Sequence, residues 1–160
     1  MDNRLEINLL SECQEHIPEL ATLWYEEISR HWIPGSSVDR ARQNLIEHAN
    51  TNKMPMTFVA LWEGKPIGMA SLRENDGIQP ELLPWLGSLV VHPNYRKRKV
   101  GEALIEIINK QAKIFGYEKI YLLAFDKTIP SWYARLGWKI IGKDILCNHS
   151  VTVMDYSFKE

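Results

Sequence analysis

Leu89-Val90-Val91-His92-Pro93-Asn94-Tyr95-Arg96-Lys97-Arg98-Lys99-Val100-Gly101-Glu102-Ala103 is the stretch that decides the fold. It joins an apolar run, a proline turn, four consecutive cations and the start of a helical pattern. Upstream, Trp85 to Val91 is apolar almost throughout, which predicts a central strand covered on both faces. Downstream, Val100, Ala103, Leu104, Ile107, Ile108, Ala112 and Phe115 follow the i, i+3, i+4, i+7 template of a helix with one buried face. Gly116 closes that helix as a C′ glycine. Lys119 to Phe125 is a further strand with an apolar centre. Strand, loop, helix and strand in this order make a βαβ unit, which requires a parallel pair and a right-handed crossover.

Working outward, Met56 to Trp62 reads as a strand, Glu63-Gly64-Lys65-Pro66 as a turn and Ile67 to Leu72 as the returning strand of a hairpin. Asn75-Asp76-Gly77 breaks the pattern, and a proline-bearing loop from Ile78 to Pro84 leads into the central strand. Nearer the start, Leu5 to Leu10 is a candidate first strand. Ile17, Leu20, Ala21, Trp24 and Ile28 share one helical face, with Pro18 in the first turn and Pro34-Gly35 as the stop. Ser37 caps a second helix with Val38, Ala41, Leu45 and Ala49 on its stripe. A short helix over Ser131 to Leu136, stopped by Gly137, precedes strands Trp138 to Ile145 and Val151 to Phe158. The expected class is α/β: a mixed, mostly antiparallel sheet with a central parallel βαβ step and helices on both faces. No repeat or linker interrupts the chain, so residues 1–160 are expected to form a single domain.

Composition narrows the function. Of 160 residues, 45% are hydrophobic and 24% charged, so the bulk of the chain is not disordered. Lys plus Arg is 19 against 20 for Asp plus Glu, a net charge of -1. A nucleic-acid coat needs a more basic chain, so nucleic acid is not an expected partner and any polyanion site must be local. Cys13 and Cys147 have neither disulfide nor zinc spacing and read as reduced, packed thiols. No metal site is expected. The segment Met1 to Leu10 lacks the apolar core of a leader, and no run approaches a membrane span. The expected location is cytoplasmic, with no membrane partner.

The cations Arg96 to Lys99 sit between a buried strand and a helix N-terminus, where orphan N–H groups and a partial positive charge collect. Such a junction takes anions. With four basic side chains it suits a multiply charged ligand such as a pyrophosphate; the plainer alternative is a solvated charged face. No Gly-x-x-x-x-Gly-Lys-Ser/Thr loop occurs, which removes a P-loop nucleotidase.

This segment resembles the acetyl-CoA signature of the GNAT N-acetyltransferases, Gln/Arg-x-x-Gly-x-Gly/Ala, present as Arg96-Lys97-Arg98-Lys99-Val100-Gly101. Leu89, Val91, Pro93, Tyr95 and Arg96 match the residues that precede it in the family. One position departs: Lys99 stands where the first signature glycine belongs. With an ordinary φ, a lysine there still offers its N–H to a phosphate. The order of elements agrees with the family over nearly the whole chain. The resemblance implies a GNAT-like fold, acetyl-CoA as co-substrate, and an acyltransferase (N-acetyltransferase) activity. It further implies cofactor contacts from Leu89, Val90 and Val91, from Arg96, Lys97, Arg98, Lys99, Val100, Gly101 and Glu102, and a pantetheine rail at a β-bulge. Gly87 and Ser88 are the plausible bulge residues, since a glycine inside a strand often marks one. Asp126 has two readings: a cofactor neighbour, as the resemblance implies, or a cap of the next helix. Trp132-Tyr133-Ala134-Arg135-Leu136-Gly137-Trp138 resembles the family segment whose tyrosine acts as general acid. That role falls on Tyr133, and a phenol of reference pKa about 10 can protonate a leaving thiolate.

The implied reaction moves acetyl directly to the primary amine of a small molecule or peptide. The strand Trp85 to Leu89 has no carboxylate, and none of Glu81, Glu26, Glu27 or His149 stands out as base. His92 reads as structural or solvent-facing. The acceptor is expected between the first two helices, the loop Asn75 to Pro84 and the last hairpin, with Trp24, Tyr25, Trp32 and Trp85 as candidate walls. Glu26, Glu27, Asp76 and Glu81 suggest a cationic acceptor such as an aminoglycoside, polyamine or peptide amine. The competing reading is a GNAT-fold CoA-binding or regulatory module without turnover. The edge of the last hairpin permits a monomer or a homodimer.

Overall fold

A computed structural model describes residues 3–159; Met1, Asp2 and Glu160, the ends of the expected 1–160 domain, lie outside the described residues. Seven strands, β1 (Leu5–Leu9), β2 (Met56–Trp62), β3 (Lys65–Arg73), β4 (Trp85–Val91), β5 (Lys119–Ala124), β6 (Lys139–Leu146) and β7 (His149–Ser157), form one sheet. Their order is β1-β2-β3-β4-β5-β7-β6. Adjacent strands run antiparallel except β4 and β5, the parallel step that the βαβ reading requires. The mixed, mostly antiparallel architecture is therefore as expected.

Helices cover both faces. Helix α4 (Val100–Ile114) lies on one, burying Val100, Leu104, Ile105, Ile108 and Ala112 against Phe58, Ala70, Leu86, Ile120 and Leu122. Helices α1 (Ile17–Trp24) and α3 (Val38–Glu47) cover the other, where Leu20, Ala21, Ala41 and Leu45 meet Val59, Leu61, Met69 and Val90. Strand β2 is buried at every position because both its faces are covered. Ser37 caps α3 by accepting from the Arg40 N–H at 3.0 Å. At the end of α4, Gly116 has φ +93°, with Gly116 N–H bonded to Lys113 O at 2.9 Å and Tyr117 N–H to Ala112 O at 3.1 Å. These two bonds are the glycine-terminated helix end read from the sequence.

The first helix departs from expectation. After Trp24 it widens into a π turn, Tyr25–Ser29, before a last helical turn α2 (Arg30–Trp32). Residues spaced by four drift about 40° per step around an α-helix. The wider turn reverses that drift, and Trp24, Ile28 and Trp32 all border one cavity. The short helix also differs: α5 spans Ile129–Arg135 and starts two residues before Ser131, with Pro130 in its first turn. Strand β6 lies at the sheet edge, where Ile140, Ile141 and Ile145 are exposed. Among the described residues, no helix is long and apolar enough to cross a membrane.

Candidate active site

The site begins with a slip in register. Met69 pairs with Val90, but Ser71 pairs with Gly87, so Ser88 and Leu89 together face Ala70. This is the bulge anticipated at Gly87–Ser88, and Ser88 takes φ +54° to form it. Strands β4 and β5 then share a single registered pair, Trp85 with Tyr121, supported by the Tyr121 N–H bond to Pro84 O at 3.0 Å. Beyond that point a cavity of about 280 Å³ lies between them. Leu86–Leu89 forms one wall, Leu122–Asp126 the other, and Trp132 and Tyr133 of α5 the back. Trp24, Ile28 and Trp32 close it from the first helix.

The basic loop adjoins this cavity. A Cβ at Gly101 would sit 3.2 Å from the Trp132 ring, and Trp132 also lines the cavity. Gly101 thus serves the close packing of α4 on α5 rather than an unusual φ. The cations divide into two kinds. Arg96 donates from Nε to Val91 O at 3.1 Å and from Nη2 to Glu27 Oε1 at 2.8 Å. Arg98 stacks on Trp62 and Tyr95 with centroid distances of 5.2 and 5.4 Å. Lys97 and Lys99 are exposed, and their side chains form no hydrogen bond or ion pair among the described residues.

Lys99 corrects the expectation of ordinary backbone geometry. Its φ is +63° and ψ +22°, the left-handed conformation natural to the glycine it replaces. Lys97 has φ +64°. The loop therefore keeps the glycine path at the cost of strain. Replacing Lys99 by Gly should stabilise the protein by about 0.5–1 kcal/mol, because relief of a left-handed side chain exceeds the added freedom of the unfolded chain. Urea unfolding measures this; a lower midpoint for the variant would contradict it.

Tyr133 is 6% exposed and packs edge-on against Trp132 and Trp138, with centroid separations of 4.9 and 5.7 Å. Burial pushes its phenol well above the usual tyrosine range, so it stays protonated. Its hydroxyl makes no hydrogen bond among the described residues, and the ring borders the cavity. Of the two readings given to Asp126, the helix cap is not what forms: the N-cap of α5 is Thr128, without a side-chain cap bond. It lines the cavity, and its Oδ1 accepts from Thr128 N at 2.9 Å and Thr128 Oγ1 at 2.8 Å in the turn before α5. These bonds hold its carboxyl below the usual range. Leu89 also lines the cavity. Val90 faces the α1–α3 core, Val91 spends its carbonyl on Arg96, Val100 is buried under α4, and Glu102 is half-buried in the first turn of α4.

A charged cluster beside the bulge joins Asp76 and Ser88, both named in the sequence reading, to Arg73, which was not. Arg73, at the end of β3, donates from Nη1 to Asp76 Oδ1 at 2.8 Å and from Nη2 to Ser88 Oγ. A Cβ at Gly87 would approach Arg73 Nε to 3.0 Å and Asp76 Oδ1 to 3.1 Å, so the strand glycine makes room for the pair. Arg73 Nε is buried without a partner among the described residues. Desolvation pushes the Asp76 carboxyl up, and Arg73 partly opposes the shift by its charge and hydrogen bond. Both residues line the cavity.

Behind them, desolvation lowers His48 to about 4, with the Arg73 charge as the lesser cause. The unfolded chain then binds the extra proton from about pH 6.5 down to about 4, and stability falls with acidification across that window. His48→Gln should flatten the fall. Equal slopes in acid unfolding would contradict this.

Other sequence candidates lie elsewhere. Trp85 is fully buried in the core, its indole N–H donating to Leu82 O at 2.7 Å, so it does not wall the cavity. Tyr25 and Glu81 do not line it either, while Glu26 and Glu27 border a separate shallow groove with His92 and Asn94. His92 Nδ1 accepts from the Asn94 N–H, the structural role read for it. His149 packs edge-on to Trp32 and Phe125. Among the described residues, no group of three or more His, Cys, Asp or Glu side chains is placed to hold a metal ion.

A family model described as acetyltransferase (GNAT) family matches residues 18–138. The amino-acid acetyltransferase of Pasteurella multocida (strain Pm70) is 33% identical over 60 residues, which cover 38% of this chain and 13% of that protein. Among solved structures, an aminoglycoside 6'-N-acetyltransferase complexed with coenzyme A superimposes with a TM-score of 0.76 at 17% identity, covering 97% of this chain and 98% of that one. The PaiA N-acetyltransferase of Thermoplasma acidophilum, in complex with coenzyme A, gives 0.73 at 20% identity, covering 99% and 100%. At these identities the structural likeness establishes the fold.

Proposed function

The chain belongs to the acetyltransferase (GNAT) family, and we propose that it transfers acetyl from acetyl-CoA directly to a primary amine. One observation carries this reading. The cavity where β4 and β5 part is lined by Trp132, which packs on Gly101 at the basic N-terminus of α4, and by a buried, protonated Tyr133.

The roles follow from the chemistry of each part. The pyrophosphate of the cofactor takes the N–H groups and cations of Arg96 to Glu102, where helix dipole and charge add. Arg96 is already oriented by Val91 O and Glu27, and Arg98 by its aromatic platform. Lys97 and Lys99 supply unpaired charge. The pantetheine arm lies along the bulged segment from Ser88 to Val91, on the side where β4 has parted from β5. Its thioester then sits between the two strands near Tyr133. The amine adds to the thioester carbonyl, and Tyr133 protonates the departing sulfur. Against the reading as a CoA-binding module without turnover stands Tyr133, a buried, protonated phenol bordering the cavity.

Thermal melting with and without acetyl-CoA, followed by thiol release with a panel of amines, tests the proposal. Stabilisation and amine-dependent thiol release are expected. No stabilisation at saturating acetyl-CoA would overturn it.

A further inference from the structure

Resting on the transferase reading above, we propose that the acceptor is a compact monoamine with an apolar, preferably aromatic, body, its nitrogen hydrogen-bonded to Asp76 and its body against Trp24, Trp32 and Phe125. This narrows the broad cationic class suggested by the acidic residues of the sequence.

The carboxylates come first. Glu27 is bound to Arg96, Glu26 faces the shallow groove, and Glu81 is exposed outside the cavity. Two carboxylates remain. Asp126 is exposed and has one oxygen committed to Thr128, whereas Asp76 is nearly buried, its side chain 11% exposed. Asp76 Oδ1 is taken by Arg73, and Oδ2 has no bond among the described residues. One buried carboxylate already balanced by one guanidinium has no surplus charge for a polycation. The Arg73 charge disfavours an ammonium next to it and favours a neutral amine, the nucleophilic form.

The walls agree. The cavity's helix side is Trp24, Ile28, Trp32 and Ile33, and Phe125 stacks directly on Trp32 at 5.6 Å and 13°, so the two rings form one continuous aromatic wall. The cavity, of about 280 Å³, receives the thioester end as well as the acceptor, and most of its lining side chains are apolar, which suits an apolar acceptor body. Position completes the case. Asp76 lies beside Gly87, where the bulge starts and the strands part. Burial raises its carboxyl and makes it a more effective proton acceptor.

The step balances as follows. The ammonium gives one proton to Asp76. Its nitrogen bonds to the thioester carbonyl carbon and the C–S bond breaks. Tyr133 gives its proton to sulfur and regains one from the nitrogen, and Asp76 releases its proton to water. The products are the amide, the CoA thiol and one proton.

The test is thiol release by the full chain with 2-phenylethylamine, tryptamine, spermidine, kanamycin and glycyl peptides. The arylalkylamines are expected to exceed spermidine and kanamycin by at least ~10-fold in kcat/KM. Trp32→Ala should erase most of that preference with acetyl-CoA stabilisation retained, and Asp76→Asn should lower kcat/KM for every amine by about 10²-fold. Faster turnover of spermidine, kanamycin or a peptide, or full activity of Asp76→Asn, would overturn the inference and leave the transferase reading standing. Acetyl-CoA stabilisation with no thiol release from any amine would overturn both.

Discussion

Tyr133→Phe is expected to lower kcat by about 10²- to 10⁴-fold, the range of a lost general acid. The rise in melting temperature caused by acetyl-CoA should stay as in the wild type. The substitution deletes one hydroxyl that bonds to nothing among the described residues. The ring contacts with Trp132 and Trp138 remain, so the fold loses little. Burial raises the phenol, and the same apolar surroundings raise a thiolate formed beside it, so the proton can still pass from oxygen to sulfur. A leaving thiolate without a donor must wait for solvent to reach a cavity closed by Trp24, Trp32 and Trp132. The kinetic signature is a fall in kcat and kcat/KM together. Unchanged turnover on a good acceptor would remove Tyr133 from the chemistry.

The second large effect is on stability. Arg73→Met should cost about 3–5 kcal/mol, because it leaves the Asp76 carboxylate buried and unpaired. The carboxyl then gains affinity for a proton. Its folded pKa lies further above the unfolded value, so the unfolded chain binds fewer protons and the loss deepens as pH rises. Adding Asp76→Asn to Arg73→Met should recover part of the stability, since the orphaned charge is gone. Urea unfolding of the two single variants and the double variant at pH 6 and pH 8 measures this. Additive losses, or a loss that shrinks with pH, would contradict it.

What the sequence discloses and what it hides follow from physics at different ranges. Local patterns announced the βαβ unit, the capped α3, the Gly116 helix end and the bulge at Gly87–Ser88, because each depends on neighbours within a few residues. The position of the four-cation loop, between β4 and the start of α4, was legible for the same reason. The Arg73–Asp76–Ser88 cluster was not, since it is made only when the β3–β4 register brings Ser88 opposite the end of β3. Likewise, Glu27 meets Arg96 across 69 positions, which withdraws it from any acceptor role. Composition does not report that Lys99 takes a glycine's φ, nor that the first helix contains a π turn. Trp85 looked like a cavity wall because its strand borders the site, but strand alternation turns the indole into the core.

Direct acetyl transfer is tested most simply by product mass. The protein is incubated with acetyl-CoA carrying a ¹³C-labelled acetyl group and with 2-phenylethylamine, and the amine is weighed by mass spectrometry. The expected result is labelled N-acetyl-2-phenylethylamine in step with free CoA, lost in Tyr133→Phe. Free CoA with no labelled amide from any amine offered would contradict the central claim.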